Sequence, residues 1–336
     1  SFQLDHVWFG MGKPATAESR AGFRFDVLFG QTASSMQTTL GGWRRTWDRD
    51  STSEVYVHQA YVEYLAPVAD GAKVAFGRFE AITGTESLDS TKNFHITHSN
   101  MYNMLQPINH TGLLASAKAG PVELVFGYVN TNANRTVDRY TGLGLVEGNL
   151  IGNAMGGNPD DNSEKSYIGG LNFVQDNLEV RTTVLYGADN TTTLGGTQNG
   201  NKYGMADVVV TFDPSDQLSL WVMGDYFWIQ GSRPAGFGIG AGARMAVSDR
   251  MGVALRGEYL KDKEGNASPA LFLINPASGV EIYEITATVD YTLVENLVVR
   301  GEVRWDEVRQ RADTFTGVEE FPQTDSRYQK HQVVLG

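Results

Sequence analysis

His95 and His98 stand as His-x-x-His in the stretch FHITHS, a spacing that on a helix lets two imidazoles share a metal ion. Two other pairs, His98-Ser99 and His110-Thr111, set a base beside a hydroxyl. Neighbours on an extended chain point to opposite faces, and a nucleophilic triad is defined by geometry rather than adjacency. No carboxylate set in the surrounding loop completes a metal site. The run GFGIGAG (236–242) looks like a phosphate loop, but it lacks a Gly-Lys-Ser/Thr ending and no helical pattern follows it. Its alternating glycines read as room on one face of a strand, or as curvature. Asp160, Asp161 and Glu164 could hold Ca²⁺, but they lack Asp-x-Asp-x-Asp spacing; TWDRD (46–50) is a similar case. The expectation is a non-enzyme with no catalytic residue, no metal site and no cofactor, that loop Ca²⁺ being the one exception entertained.

A different pattern carries more. Arg300, Glu302, Arg304 and Asp306 alternate with Val299, Gly301, Val303 and Trp305. Met251, Val253, Leu255, Gly257 and Tyr259 alternate with residues that include Arg256 and Glu258. Leu218 to Tyr226 and Leu178 to Tyr186 repeat the scheme, with Val122 to Tyr128 a shorter version. A period of two is a strand signal, not a helical one. The intervening strands end in an aromatic before a turn: Tyr64, Phe173, Phe212 and Tyr291. Eight residues of strand rise ~27 Å, or about 20 Å along a membrane normal at ~45° tilt. The aromatics therefore form two rows flanking an apolar band, as in the girdles of a membrane barrel.

Connections alternate as well. Those after Leu65, Lys118, Val174, Phe212, Val247 and Thr292 are short; 31–53, 84–110, 131–164, 189–201, 262–279 and 307–329 are long and polar. The expected strands lie near 2–10, 20–31, 54–66, 72–80, 111–119, 121–130, 165–175, 178–188, 202–213, 217–229, 236–247, 251–261, 280–292, 296–306 and 330–336. That is fifteen, and bacterial single-chain barrels have even numbers. The expected fold is therefore an all-β, transmembrane antiparallel up-and-down β-barrel of 16 strands. It fills residues 1–336 as one domain, with one strand missing before Ser1. A water-soluble sandwich or jelly roll would also alternate, but it would not place aromatics in two rows or all long loops on one rim.

The totals agree. No apolar run approaches the ~18 residues of a spanning helix, and a slightly negative mean hydropathy is what alternating faces average to. With no Cys there is no disulfide framework or Cys-based metal site. A net charge of −12 argues against a nucleic-acid partner. No signal peptide is visible, and Ser1 reads as a mature or trimmed start.

The segments FRFDVLFG (23–30), VHQAYVEYLAP (57–67), VAFGRF (74–79) and SNMYNMLQPINHTG (99–112) resemble the OmpL-like β-barrel porin family. The likeness covers roughly residues 1–130 and lies in the strand ending QAYVEY, the Gly-Arg-Phe before the long loop and the Pro-x-x-His-Thr-Gly after it. The resemblance implies a porin in the outer membrane of a Gram-negative-type bacterium.

If the girdle face meets lipid, the other face is the lumen. It would carry Arg24, Asp26, Arg181, Asp207, Asp225, Arg244, Arg256, Glu258, Glu284, Asp290, Arg300, Glu302, Arg304 and Asp306, with Arg78 placed there for its charge. A cation on the lipid face would cost ~2–4 kcal/mol at mid-depth. Val125, Val129, Ile168 and Val174 give the opposite wall an apolar lumen face. The loop 84–110 is expected to fold inward and cover it with Phe94, Met101, Tyr102, Met104 and Leu105. Glu86, Asp89, Lys92, His95 and His98 would then face the charged wall across a constriction.

The expected function is passive diffusion of small hydrophilic solutes or ions through that charged constriction. The alternatives are a closed, salt-bridged scaffolding barrel and a substrate-specific channel marked by Trp221 and Phe227. The expected partners are the lipid bilayer and lipopolysaccharide, the solutes themselves, and other copies of the chain in a homo-oligomer, a trimer by default.

Overall fold

The computed structural model describes residues 4–33, 55–68, 71–130, 165–188, 191–193, 196–198, 202–229, 235–262, 280–310 and 327–335. Asp160, Asp161, Glu164 and the stretch 46–50 lie outside them. The strands are β1 (Val7–Lys13), β2 (Ala21–Phe29), β3 (Val55–Ala66), β4 (Ala72–Glu80), β5 (Asn109–Ala119), β6 (Val122–Val129), β7 (Ser166–Gln175) and β8 (Leu178–Ala188). They continue with β9 (Thr191–Thr193), β10 (Gly196–Gln198), β11 (Lys202–Ser215), β12 (Leu218–Ile229), β13 (Ala235–Ser248), β14 (Met251–Asp262), β15 (Val280–Val294), β16 (Leu297–Gln310) and β17 (Arg327–Leu335). Fifteen of them form one antiparallel up-and-down sheet in sequence order, β8 being followed by β11. The short pair β9 and β10 stands apart, inside a stretch expected to be a plain connection. Two strand ends run well past the expected ones. β1 runs on to Lys13, where Pro14 removes the next ladder donor. β16 runs to Gln310 because Glu307, Val308 and Arg309 still pair with β15.

The tight turns follow from single residues. Asp176 and Asn296 adopt φ of 51° and 65°, the left-handed region that Asp and Asn tolerate better than other side chains.

By contacts the chain divides into two compact units: Ser1–Ile82 with Pro107–Asn172 and Thr183–Gly204, and Thr83–Gln106 with Phe173–Thr182 and Met205–Gly336. In the first unit, β2 and β3 slip register between Asp26 and Val27, which leaves His58 as the extra residue of a bulge. The bulge flips the parity of β3: Val55 and Val57 are exposed before it, Val62 and Tyr64 after it. Gly77 and Gly112 are cross-strand partners on β4 and β5, with φ of +133° and +158°. A side chain on either would strike the backbone of the next strand, Ala60 or Tyr128. These two glycines are those of Gly-Arg-Phe and His-Thr-Gly, so both motifs mark the paired roots of the long loop.

The second unit shows the alternation most plainly. Leu255 is 54% exposed and Arg256 2%. On β15, Ile285 and Val289 are exposed while Glu284, Thr286 and Thr288 are buried. On β16, Val299 and Val303 are exposed while Glu302 and Arg304 are buried. Phe237, Tyr259 and Tyr283 line up across β13, β14 and β15 with ring centroids 5.8 and 5.0 Å apart, one row of the expected girdle. Continuous exposed apolar surface over a charged reverse face suits a sheet whose outer solvent is hydrocarbon.

Candidate functional site

Residues 83–106 connect β4 to β5 and belong to the second unit. Locally they are stapled by side chains. Asp89 accepts from Thr91 N at 3.1 Å and caps the turn Ser90–Lys92. Ser87 N donates to Asn93 Oδ1 at 2.9 Å and Asn93 Nδ2 donates to Ser87 O at 2.8 Å. Ser99 caps the helix α1 (Asn100–Met104) by accepting from Tyr102 N at 2.9 Å, an interaction worth about 1 kcal/mol. His98 stacks on Tyr102 at 4.4 Å.

An irregular segment leaves many backbone N–H and C=O groups without ladder partners, and each one buried unpaired costs ~1–3 kcal/mol. Here the strands supply the partners. Glu302 accepts from Ile96 N at 2.7 Å, Thr97 N at 3.1 Å and Thr97 Oγ1 at 2.6 Å. Glu258 accepts from Asn100 N at 2.7 Å, and Asp306 from Asn100 Nδ2 at 2.9 Å. Arg304 donates to His98 O at 2.6 Å and Arg300 to Ser90 O at 2.8 Å. At the loop's two ends, Arg181 donates to Gly84 O at 2.6 Å, Asp207 accepts from Gly84 N at 3.3 Å, and Asp225 accepts from Gln106 Nε2 at 2.9 Å. Hydrogen bonds to ionised groups are about twice as strong as neutral ones.

Beneath the loop the charges compensate one another. Arg256 pairs with Glu284 at 2.6 Å and with Glu86 of the loop. Glu86 also accepts from Ser99 N at 2.8 Å. Arg304 pairs with Asp306 at 2.8 Å and Glu284 at 3.2 Å. Arg244 pairs with Asp290 at 3.1 Å and lies 5.6 Å from the Phe94 ring centroid. His95 Nδ1 is 2.8 Å from Thr288 Oγ1, whose single proton goes to Glu302 Oε2. His95 therefore donates through Nδ1. Burial, with the Arg256 guanidinium next in weight, depresses its pKa from the usual 6.5 to about 3.

The apolar side of the loop fits a gap cut by glycines. A Cβ on Gly238 would come within 2.8 Å of Leu105 Cδ1 and 3.0 Å of Met101 Cγ; one on Gly240 would come within 3.3 Å of Met101 Sδ. Gly242 gives the same room to the Trp221 indole, and Gly236 to the Phe227 ring. The alternate glycines of GFGIGAG are thus spaces filled by named side chains.

These contacts correct one expectation. Met101 and Leu105 pack on β13 and Phe94 lies by Arg244. Val174 is itself exposed. Glu86 and His95 likewise touch the charged strands directly instead of facing them across a gap. The physical reason is acceptor supply: the loop's unpaired N–H groups need oxygens, which the carboxylates of β14, β15 and β16 provide and Val or Ile cannot.

His95 and His98 do not converge, because His98 Nε2 is bonded to Ser87 O at 2.8 Å. Among the described residues no three of His, Cys, Asp and Glu converge as a metal set. Trp221 and Phe227 are buried rather than strung along an open track. In the first unit, Arg24 pairs with Asp26 at 2.7 Å, and Arg78 donates to Tyr56 Oη at 2.7 Å. Tyr56 Oη also takes Asn109 Nδ2 at 2.6 Å. The roles of Asn100, Gln106 and Tyr56 have no signal in the sequence, since an uncharged polar residue outside a regular alternation does not show which way it faces. Ser99 ahead of NMYNM was the one readable cue, as a helix cap.

A sheet with oily residues outside, a charged reverse face and a long connection folded onto that face defines the class of outer-membrane β-barrel porins. The family model described as "Putative beta-barrel porin-2, OmpL-like" matches residues 1–335, and the chain belongs to that family. It is therefore a protein of the Gram-negative outer membrane. In structure it is similar to the outer-membrane channel DcaP of Acinetobacter baumannii (TM-score 0.58, 12% identity, 99% of this chain and 84% of that one). It is also similar to an anion-selective porin from Comamonas acidovorans (TM-score 0.56, 12% identity, 98% and 88%). Salmonella typhi OmpF in complex with daunomycin is a third (TM-score 0.53, 10% identity, 89% and 81%). At these identities the likeness concerns fold. No curated protein matches in sequence.

Proposed function

We propose that this porin passes small hydrophilic solutes or ions by passive diffusion, without a cofactor, and that residues 83–106 narrow the passage. The observation that carries this reading is the anchoring of the loop backbone by Glu302 and Glu258 on the charged face of the sheet. A loop meant for the cell surface would have no use for buried carboxylates as partners. The bilayer and lipopolysaccharide would meet the exposed apolar face. Ala241 and Gly257, paired on β13 and β14, give a smooth patch for a second copy, and a homotrimer is the expected assembly. Purified protein in planar bilayers should give discrete conductance steps.

A second reading has its own observation. Arg256, Glu284, Arg304 and Asp306 are buried under the loop rather than wetted. A closed barrel stabilised by that network would be a scaffold, and folded protein would then stay electrically silent.

A further inference from the structure

Gly84 and Gln106 stand at the two ends of the loop and meet each other. Gly84 has φ of +70°, and a side chain on it would strike the Gln106 carboxamide. Both are bonded to carboxylates of neighbouring strands, Gly84 N to Asp207 on β11 and Gln106 Nε2 to Asp225 on β12. We propose that Asp207, Asp225 and Gln106 form a Ca²⁺ site that clips both ends of the loop to the sheet. The ion would be structural and take no part in passage, so the proposal stands for a conducting and for a silent barrel alike.

Oxygen without donors is the first argument. Asp207 and Gln106 are each 1% exposed and Asp225 2%. Asp207 Oδ1 and Gln106 Oε1 are buried with no hydrogen-bond partner. Thr83 Oγ1, one residue before Gly84, is a third such atom. The amide of Gln106 cannot be turned to relieve this, because its Nε2 already donates to Asp225 Oδ2 at 2.9 Å and an oxygen there would face a carboxylate. Buried polar atoms in folded proteins are almost always partnered, so oxygens gathered without an N–H or O–H to meet them call for a cation.

Charge is the second. The Asp207 and Asp225 carboxyl groups lie within hydrogen-bonding reach of each other. Two buried carboxylates at that range repel unless something positive sits with them. Arg181 acts on Asp207 through space, but it pairs with Glu179 at 3.5 Å and gives Nη2 to Gly84 O. The site therefore keeps an excess of negative charge. Its donors are carboxylate, carboxamide and hydroxyl oxygens, hard ligands that suit Ca²⁺. Mg²⁺ demands a near-ideal octahedron and dehydrates reluctantly, which fits a buried, irregular set less well. The position is also fixed from the apolar side: Leu105, next to Gln106, fills the space over Gly238, the cross-strand partner of Asp225.

Release of the loop is the readout, in folded full-length protein in detergent, free of lipopolysaccharide and stripped with EGTA, at a fixed pH of about 7.5, where His95 stays neutral. Lysyl endopeptidase cleavage after Lys92 should slow about tenfold in ~5 mM Ca²⁺ if the site binds in the ~10⁻⁴–10⁻³ M range of extracellular modules. The same concentration of Mg²⁺ should protect far less. Asp207→Asn gives Asp225 an amide donor in place of the ion, so its cleavage should be slow and indifferent to Ca²⁺. Calorimetric titration of Ca²⁺ into the stripped protein reads binding without protease, and the heat of this site should vanish in Asp207→Asn. Cleavage equal in Ca²⁺ and EGTA, equal protection by Mg²⁺, or a Ca²⁺ response unchanged in Asp207→Asn overturns the proposal. A wild-type rate that ignores Ca²⁺ but follows pH in His95→Asn protein also overturns it, since a shared proton would then hold the two carboxyl groups.

Discussion

Met101 occupies the space that a side chain on Gly238 would fill. Restoring that side chain tests how the loop is seated. Gly238→Leu would overpack the site by about 1–3 kcal/mol, and the cheapest relief is release of the loop, since β13 is held by ladders on both sides. Trypsin should then cut after Lys92 several-fold faster than in wild type while the sheet stays folded. Equal cleavage rates would mean that Met101 and Leu105 do not anchor the loop.

Glu302 holds two loop amides and the Thr97 hydroxyl at once. Glu302→Ala leaves Ile96 N and Thr97 N buried without acceptors, at about 1–3 kcal/mol each. Amide exchange at 96 and 97 should accelerate at least tenfold, with exchange in β14 unchanged.

Arg256 sits between Glu86 and Glu284. Arg256→Met leaves the buried Glu86 without its cation and Glu284 with Arg304 alone, and should cost about 3–5 kcal/mol in unfolding free energy. Adding Glu86→Gln should recover much of that loss, because the penalty lies in the unpaired charge and not in the missing guanidinium. Urea titration in detergent micelles reads both variants.

His95 makes the loop acid-sensitive. Its pKa is about 3 when the loop is seated and near 6.5 when it is released. The released state therefore binds the extra proton between those values, and seating is fully favoured above about pH 6.5. It weakens as pH falls from there toward 3, by up to a few kcal/mol. Lys92 cleavage by an acid-tolerant lysyl endopeptidase should rise from pH 7.5 to pH 5 in wild type. In His95→Asn, which cannot titrate, the rise should be absent.

The sheet was legible because its two solvents differ. Leu255 beside Arg256 and Val303 beside Arg304 announce their faces residue by residue, and for fourteen of the fifteen strands expected from alternation both ends fall within a few residues of those found. Gly77 and Gly112 were legible only as motif letters; that they pair and both need positive φ is a tertiary fact. The loop's polar anchoring was not legible for a definite reason. Apolar side chains at 94, 101, 104 and 105 suggested an apolar wall, whereas the larger requirement came from backbone amides, which leave no trace in the identity of the residues that carry them. The gap at Gly236, Gly238, Gly240 and Gly242 was visible as a spacing, but not what would fill it.

The orientation of the sheet can be probed on its own. Val303→Arg places a cation on the exposed apolar face and should cost ~2–4 kcal/mol near mid-depth, seen as a lower yield of folded protein in lipid. Thr292→Arg, beside a tight turn, should cost little.

Single-channel recording of wild type beside a variant whose residues 85–104 are replaced by a short Gly-Ser linker bears on the whole reading at once. Discrete steps from the native chain, and clearly larger steps from the shortened one, are expected if the seated loop restricts a conducting path. Silence in both proteins, or steps of the same size, would mean that the loop seals or decorates the barrel and does not regulate the width of a channel.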